Sequence, residues 1–160
     1  DYKPSVARWN MATGEINPMP YEYPDLKKVR FIYTASAEHQ LYVQCYTQYD
    51  LMTICDFNGN LKCNIYGPKW VNEKTQTQHY SLGVEFCGDK ILALYSGGDH
   101  RTDAYYPTKF LVFDLNGNYL KTLETGYMIT DFCYDKENNR LIINLNDEIQ
   151  FAYLDLEGII

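Results

Sequence analysis

Short apolar runs separated by turn residues fill most of this 160-residue sequence. β-Branched and aromatic residues dominate the runs, and no long stretch has the 3.6-residue period of an amphipathic helix. The runs at 91–95 and 141–143 are apolar at every position, which is typical of strands buried on both faces. The pattern therefore predicts an all-β fold in which sheets pack between neighbouring sheets.

Two motifs recur along the chain. The segment 85–90 (EFCGDK) returns at 131–136 (DFCYDK). The segment 55–60 (CDFNGN) returns at 113–118 (FDLNGN), and more weakly at 154–158. A period of about 40 to 50 residues with strand-like content is typical of β-propellers, in which four-stranded blades stack around an axis.

Aligning the repeats assigns four strands, A to D, to each blade as a meander. The predicted strands are A at 29–34, 82–86 and 129–134, B at 41–47, 90–95 and 140–144, C at 51–56, 109–114 and 149–155, and D at 61–66 and 119–123. The N-terminal segments 6–11 and 15–19 resemble a further C–D hairpin.

These strands divide the chain into four units. The units are a half blade at 1–24, a blade at 25–66, a blade at 67–123 and an incomplete blade at 124–160. Closed propellers have about four to eight blades. We therefore expect a β-propeller fragment of about three to four antiparallel blades. Its bare faces would be covered by the remaining blades of a longer chain or by self-association.

Asn-Gly pairs at 58–59 and 116–117 join strands C and D. Asn-Gly tolerates the positive φ of a tight hairpin turn. Asp56 and Asp114 precede the turns and are expected to accept hydrogen bonds from the turn backbone. The segments lack the alternating carboxylates and terminal Glu of an EF-hand, which favours a turn over a calcium loop.

These turns, together with the strand-turn-strand units at 83–95 and 130–145, resemble the TolB-like six-bladed β-propeller family of bacteria. The resemblance covers most of the chain. It implies a propeller fold and export to the periplasm or cell surface, often as a lipoprotein. It assigns no catalytic residue and no cofactor to this chain. Because the chain begins with Asp1, any leader is expected to have been removed.

Charge and composition narrow the function classes. The net charge of −7 disfavours nucleic acid and anionic membrane surfaces as partners, since both are recognised largely through Lys and Arg. No run of about 20 apolar residues is present to span a bilayer. The sixteen Tyr residues suit both a packed sheet and a binding surface, because Tyr combines apolar area with a polar tip.

The five cysteines all lie in apolar, strand-like runs. Their number is odd and no C-x-x-C occurs, so neither a zinc site nor a redox motif is indicated. Cys87 and Cys133 share a repeat position on sheets expected about 10 Å apart, which is too far for a disulfide. We expect five buried thiols that pack as small apolar side chains.

Three long connections, at 18–28, 67–80 and 96–108, are predicted to leave the same edge of the blades, and the other edge carries short turns. Insertions on one face of a repeat protein often form the binding face. The connections contain aromatic and charged side chains typical of recognition sites. The candidate ligand-binding residues are Tyr21, Tyr23, Trp70, His79, Tyr80, Asp99, His100, Arg101, Asp103, Tyr105 and Tyr106.

The segment 97–103 (GGDHRTD) is the most polar of these stretches. Asp99, His100 and Asp103 have side chains suited to metal binding or proton transfer, although one loop seldom builds a complete site. The alternative is a solvated loop with an internal Asp–Arg ion pair. The aromatic side chains have a corresponding alternative, which is to pack their own loops onto the blade ends.

The sequence thus favours a non-catalytic binding module without a cofactor, whose ligand is a glycan or peptide on the long-loop face. Two alternatives stay open. A propeller-type metal-assisted hydrolase or lactonase would bind a cation between blades through carboxylates from several of them. A structural assembly domain would dock another chain on a blade face and bury at least about 1,000 Å².

Overall fold

A computed structural model describes residues 6–19, 26 and 29–160 of the chain. Within these residues the secondary structure is almost wholly β-strand, with one turn of 3₁₀ helix at Asp103–Tyr105. The strands are β1 (Ala7–Trp9), β2 (Ile16–Pro18), β3 (Phe31–Ser36), β4 (Leu41–Tyr46), β5 (Leu51–Asp56), β6 (Leu61–Tyr66), β7 (Thr77–Cys87), β8 (Lys90–Asp99), β9 (Lys109–Asp114), β10 (Tyr119–Glu124), β11 (Ile129–Asp135), β12 (Arg140–Leu145) and β13 (Phe151–Asp155).

The strands form consecutive antiparallel meanders. β1 and β2 make a hairpin, β3 to β6 make the first four-stranded sheet, and β7 to β10 make the second. β11 to β13 make a three-stranded sheet. Each strand pairs with its neighbours in the chain, so every connection within a sheet is local.

The sheets stack face to face, and the core lies between them. Val43 and Ile54 of the first sheet share one buried cluster with Ile91 of the second. Leu92 shares another with Leu141 of the last sheet. Since successive residues of a strand point to opposite faces, the second sheet is buried on both sides. Each fully buried Leu or Ile contributes roughly 1.5–3 kcal/mol relative to its exposed state.

The first strands of successive sheets lie beside one another, with β7 contacting both β3 and β11. The approach is close at Gly83 of β7, where an added Cβ would lie 2.7 Å from a ring carbon of Phe132. Stacked meander sheets with adjacent first strands are the arrangement of propeller blades around an axis. The predicted fold class, an all-β propeller fragment, is confirmed.

The two Asn-Gly turns have the same geometry. The Asp56 Oδ1 atom accepts from the backbone N–H groups of Asn58 and Asn60, at 2.8 and 2.9 Å. Asp114 accepts from the corresponding groups of its own turn. Gly59 has the positive φ of 87° that the turn requires. The predicted capping of these turns is therefore confirmed.

The hairpin of the second sheet is longer than expected. β7 begins at Thr77 instead of Leu82, and β8 continues to Asp99 instead of Tyr95. Residues 77–80 and 96–99, which the sequence assigned to loops, are thus strand. The extension is held by backbone pairing, with Thr77 opposite Asp99, and such pairing does not require apolar alternation.

The expectation of five buried thiols is confirmed for three cysteines, is met in part by a fourth and is wrong for the fifth. All five are free, and Cys45, Cys55 and Cys87 are buried, while Cys63 is half-buried. Cys133 is exposed. It pairs with Ile142 on the outer face of the last sheet, where Phe151 is also exposed. Burial at that repeat position depends on whether another sheet covers the face.

Candidate functional site

Two long connections meet at one end of the second sheet. Residues 67–76 lead into Thr77, and residues 100–108 leave from Asp99, its register partner. The His100 Nδ1 atom lies 2.9 Å from the carbonyl oxygen of Gln76, and the His100 backbone N–H donates to the same oxygen. We call the exposed and half-exposed surface formed by Trp70, Asp99, His100, Arg101, Asp103, Tyr105 and Tyr106 the rim.

The rim contains an exposed ion pair. The Arg101 Nη2 atom lies 2.7 Å from Asp99 Oδ2, and the Arg101 Nε atom lies 3.1 Å from Asp99 Oδ1. Hydrogen bonds from Arg101 lower the pKa of Asp99. The internal Asp–Arg pair expected for a solvated loop therefore forms. It presents a fixed charge pattern but adds little stability, because water screens exposed pairs.

A tight turn presents the two rim tyrosines. The Thr102 side chain caps the 3₁₀ turn by accepting from the Ala104 N–H group. The Ala104 carbonyl in turn accepts from the Ser96 hydroxyl at 2.8 Å. The rings of Tyr105 and Tyr106 stack on each other, with centroids 4.2 Å apart. The segment is thus held against the end of β8.

Trp70 packs partly against its own sheet. Its ring meets Tyr66 edge-on at 4.7 Å between centroids and lies 6.1 Å from the ring of Tyr49. It borders a small buried cluster that includes Leu51. The indole is half-buried, so it joins the rim to the first sheet while leaving part of its surface in solvent.

His79 and Tyr80 lie inside the fold, each only 1% exposed. His79 Nδ1 is 3.2 Å from the Tyr95 hydroxyl and 3.8 Å from Asp50 Oδ1. Burial lowers the pKa of His79, although the neighbouring Asp50 acts in the opposite direction. The imidazole is therefore neutral near pH 7, and it acts here as a hydrogen-bonding group of the core.

Tyr21 and Tyr23 lie outside the described residues, so their predicted role stays a prediction. The structure brings the other candidates to one end of the molecule. His79 and Tyr80 lie beneath the surface there, and the rim residues lie at it.

Sequence reasoning missed a groove between the first and second sheets. The groove has a volume of about 490 Å³. It is lined by Asp50, Ile65, Tyr66, Gly67, Pro68, Lys69, Tyr80, Tyr95, Ser96, Lys109, Leu111, Phe113, Tyr119 and Thr122. Apart from Tyr80, no sequence signal singles these residues out, because they come from six separate segments of the chain.

Sequence reasoning also missed two carboxylates on the inner strands. Glu85 of β7 and Asp131 of β11 occupy the same repeat position. Burial raises the pKa of Glu85, and Asp131 adds to the rise, although a hydrogen bond with Thr34 opposes it. Among the described residues, no group of three or more His, Cys, Asp or Glu side chains is arranged to hold a metal ion.

Comparison with solved structures gives a distant likeness of fold. No protein-family model matches the chain, and no curated protein matches it. Among solved structures, the chain is similar to the WD40 domain of Pan2 from Neurospora crassa, with a TM-score of 0.46 and 15% identity over 79% of this chain. It spans only 32% of that structure. The resemblance to the TolB-like family stays a prediction.

Within the part of the chain that the structure describes, no helix is long and apolar enough to cross a membrane.

Proposed function

We propose that this chain is a protein-interaction module whose rim binds a polypeptide. The observation that carries the proposal is the juxtaposition of the two long connections at one end of the stacked sheets, fixed by His100 on Gln76. Aromatic and charged side chains held on a rigid scaffold are the usual makeup of protein recognition sites.

A polypeptide is favoured over a glycan by the way in which the aromatic rings are used. Sugars bind on free, flat ring faces, whereas Tyr105 and Tyr106 cover one face of each other. Trp70 already packs against Tyr66 and Tyr49. The Asp99–Arg101 pair offers both charge signs to polar side chains and backbone groups of a peptide.

The finer expectations from the sequence belong to this proposal. We also propose that the chain belongs to the TolB-like family and is exported to the periplasm or cell surface. The hydrolase and assembly alternatives stay predictions.

A selection experiment tests the rim. Random twelve-residue peptides displayed on phage are selected on the wild-type chain, and a glycan array is probed in parallel. Peptides that bind the rim are expected to lose at least about tenfold in affinity when Arg101→Ala and Tyr105→Ala are combined, because few central anchors carry most binding energy. Lys62→Ala, an exposed change on β6, is the matched control and is expected to change affinity less than twofold.

Peptides that bind the rim variant as tightly as the wild type would refute the rim as the binding surface. If the glycan array gives binding and no peptide is selected, the ligand of the rim is a glycan and not a polypeptide. Circular dichroism of the variant separates these outcomes from unfolding, since both substituted side chains are on the surface or half-buried.

A further inference from the structure

The groove between the first two sheets has its own chemistry, and no rim residue lines it. It runs between the edge strands β6 and β10. Tyr66 lies at the end of β6 and Tyr119 at the start of β10, so the two tyrosines mark opposite ends of equivalent strands. A six-residue strand is about 17–20 Å long, which is the length of an extended segment of five or six residues.

Two ammonium groups face this groove at the end near the rim. The Lys109 Nζ atom lies 5.9 Å from the centre of the Tyr95 ring. The Lys69 Nζ atom lies near the same ring, 3.5 Å from the point where a Cβ on Gly97 would stand, and Tyr95 Cε1 is 3.1 Å from that point. Two cations beside one ring form a local positive site on a chain of net charge −7.

Neither ammonium is neutralised by a described residue. Glu124 stands opposite Lys109 in the strand register, but no ion pair joins them, and Lys69 has none either. Lys109 is half-buried and Lys69 is exposed. A half-buried cation without an ion-pair partner attracts anions more strongly than a fully solvated one, because water screens it less.

One carboxylate lies on the floor of the groove. Asp50 is 1% exposed, and its Oδ2 atom accepts from the Lys69 backbone N–H at 2.9 Å. Its Oδ1 atom is buried without a hydrogen-bond partner, 3.8 Å from His79 Nδ1. The two lysines outnumber this carboxylate, so the charged side chains that line the groove sum to a net positive charge.

The rest of the groove suits apolar side chains. Leu111 and Phe113 form the wall towards the far end, and Tyr119 is 57% exposed there. The Thr122 and Tyr119 hydroxyls lie 2.8 Å apart at the edge of the groove, and this pair has further hydrogen-bonding capacity for a peptide backbone. An occupant that matches this lining carries a carboxylate at the rim end and apolar side chains along the rest.

We infer that this groove binds an extended acidic peptide segment, with a side-chain carboxylate held between Lys69 and Lys109 and apolar residues against Leu111 and Phe113. No rim residue lines the groove, so an experiment can refute binding at one of the two surfaces and leave the other proposal standing. Charge complementarity selects the acidic residue, and the length of the groove selects an extended conformation.

The test is an NMR titration of the ¹⁵N-labelled chain. The probe is a capped six-residue peptide with two glutamates followed by leucine, tyrosine, leucine and glycine, and its counterpart has glutamines in place of the glutamates. The acidic peptide is expected to shift the amide resonances of Lys69, Ser96, Lys109 and Thr122. It is expected to bind at least about tenfold more tightly than the glutamine peptide, with an affinity that falls as salt is added.

Two variants with equal charge change provide the control. Lys69→Gln with Lys109→Gln removes the proposed carboxylate site and is expected to weaken binding at least about tenfold. Lys62→Gln with Lys136→Gln removes two exposed lysines elsewhere and is expected to weaken it less than twofold. Thr122→Trp keeps both lysines, fills the groove from its exposed edge, and is expected to block binding by bulk alone.

Several outcomes would overturn the proposal. They are equal binding of the glutamine peptide, equal loss in the two lysine pairs, binding that survives Thr122→Trp, or shifts confined to the rim amides. Tighter binding of a lysine-substituted peptide would assign the groove to cations, through Asp50. Failure of the acidic peptide to bind the wild type would end the proposal and leave the rim untouched.

Discussion

The first and second sheets come from the same repeat but differ at one end. Their turns between the last two strands are alike, with Asn60 Nδ2 donating to Asp56 Oδ2 and Asn118 Nδ2 donating to Asp114 Oδ2, both at 2.8 Å. Their first hairpins differ. The pairing of β3 with β4 ends at Phe31, whereas that of β7 with β8 continues to Thr77. Both repeats form a four-stranded blade, and only the second has the extension of its first hairpin, residues 77–80 and 96–99.

The extension is set apart from its sheet by a bend in β7. The register shifts between Tyr80 and Val84, and Leu82 has a φ of 67°, in the left-handed region that leucine rarely adopts. Beyond this bend the hairpin carries the rim and buries His79. The register shifts again between Gln78 and Tyr80, so the hairpin that supports the candidate binding surface is irregular at two points, whereas the first hairpin of the first sheet has no such shift.

The largest expected effect comes from filling the contact between the extended hairpin and the loop that follows it. A Cβ on Gly98 would lie 1.8 Å from the carbonyl oxygen of Ala104. Gly98→Ala is therefore expected to lower the free energy of unfolding by about 3 kcal/mol, because backbone atoms must move to relieve the overlap. Urea unfolding followed by fluorescence measures the change.

Gly88→Ala, at the tip of the same hairpin, is the control. Nothing lies within 4 Å of its added Cβ, so only the positive φ of 60° is unfavourable, at about 1 kcal/mol. If Gly98→Ala costs no more than Gly88→Ala, the extension is not held as described.

A medium effect is expected from the buried histidine, which has no counterpart at that position in the first sheet. Because burial lowers the pKa of His79 in the folded chain, the unfolded chain takes up the proton first as the pH falls. Stability is therefore full above the ordinary histidine pKa of about 6.5 and declines below it. His79→Gln is expected to flatten this decline between about pH 7.5 and 5, measured by urea unfolding at each pH.

Tyr95→Phe serves as the matched variant for this prediction. It removes the hydroxyl beside His79 Nδ1 but keeps the imidazole, so the acid-dependent decline is expected to persist. An unchanged pH profile in His79→Gln would show that other groups cause the acid sensitivity.

The smallest effect is expected at the bend itself. Glycine adopts a positive φ without the steric cost that leucine has there. Leu82→Gly is therefore expected to leave the free energy of unfolding unchanged or to raise it by up to about 1 kcal/mol, measured by urea unfolding. Leu120→Gly in β10 has similar exposure, 43% against 40%, and is expected to cost about 1 kcal/mol. An equal loss of unfolding free energy in both variants would show that the backbone at Leu82 is not strained.

Much of the fold follows from short-range patterns. The Asn-Gly turns and strands such as 91–95 are recognised from residues within a few positions of one another, and both formed as predicted. The hairpin extension was missed because Gln78 and Gly98 pair through the backbone, which leaves no apolar alternation to read. The polar residues at 77–80 and 96–99 indicated loops, but backbone pairing between these two segments makes them strands.

The candidate site was predicted less completely. Loop length and aromatic content pointed to the rim residues, and the structure places Trp70 and Arg101 at the same end of the molecule. The same signals included His79 and Tyr80, which are buried, because residue type does not say whether a strand covers a side chain. Lys69 and Lys109 carried no signal, since they meet only when two sheets stack.

The sequence alone determined the stack of antiparallel sheets, because turn conformation and the two-residue period of a strand are local properties of the chain. Only the tertiary structure decided which faces are covered and which segments meet. Cys87 is buried and Cys133 is exposed at the same repeat position for that reason. The groove has the same origin, since its two lysines lie 40 positions apart and share a surface only through packing.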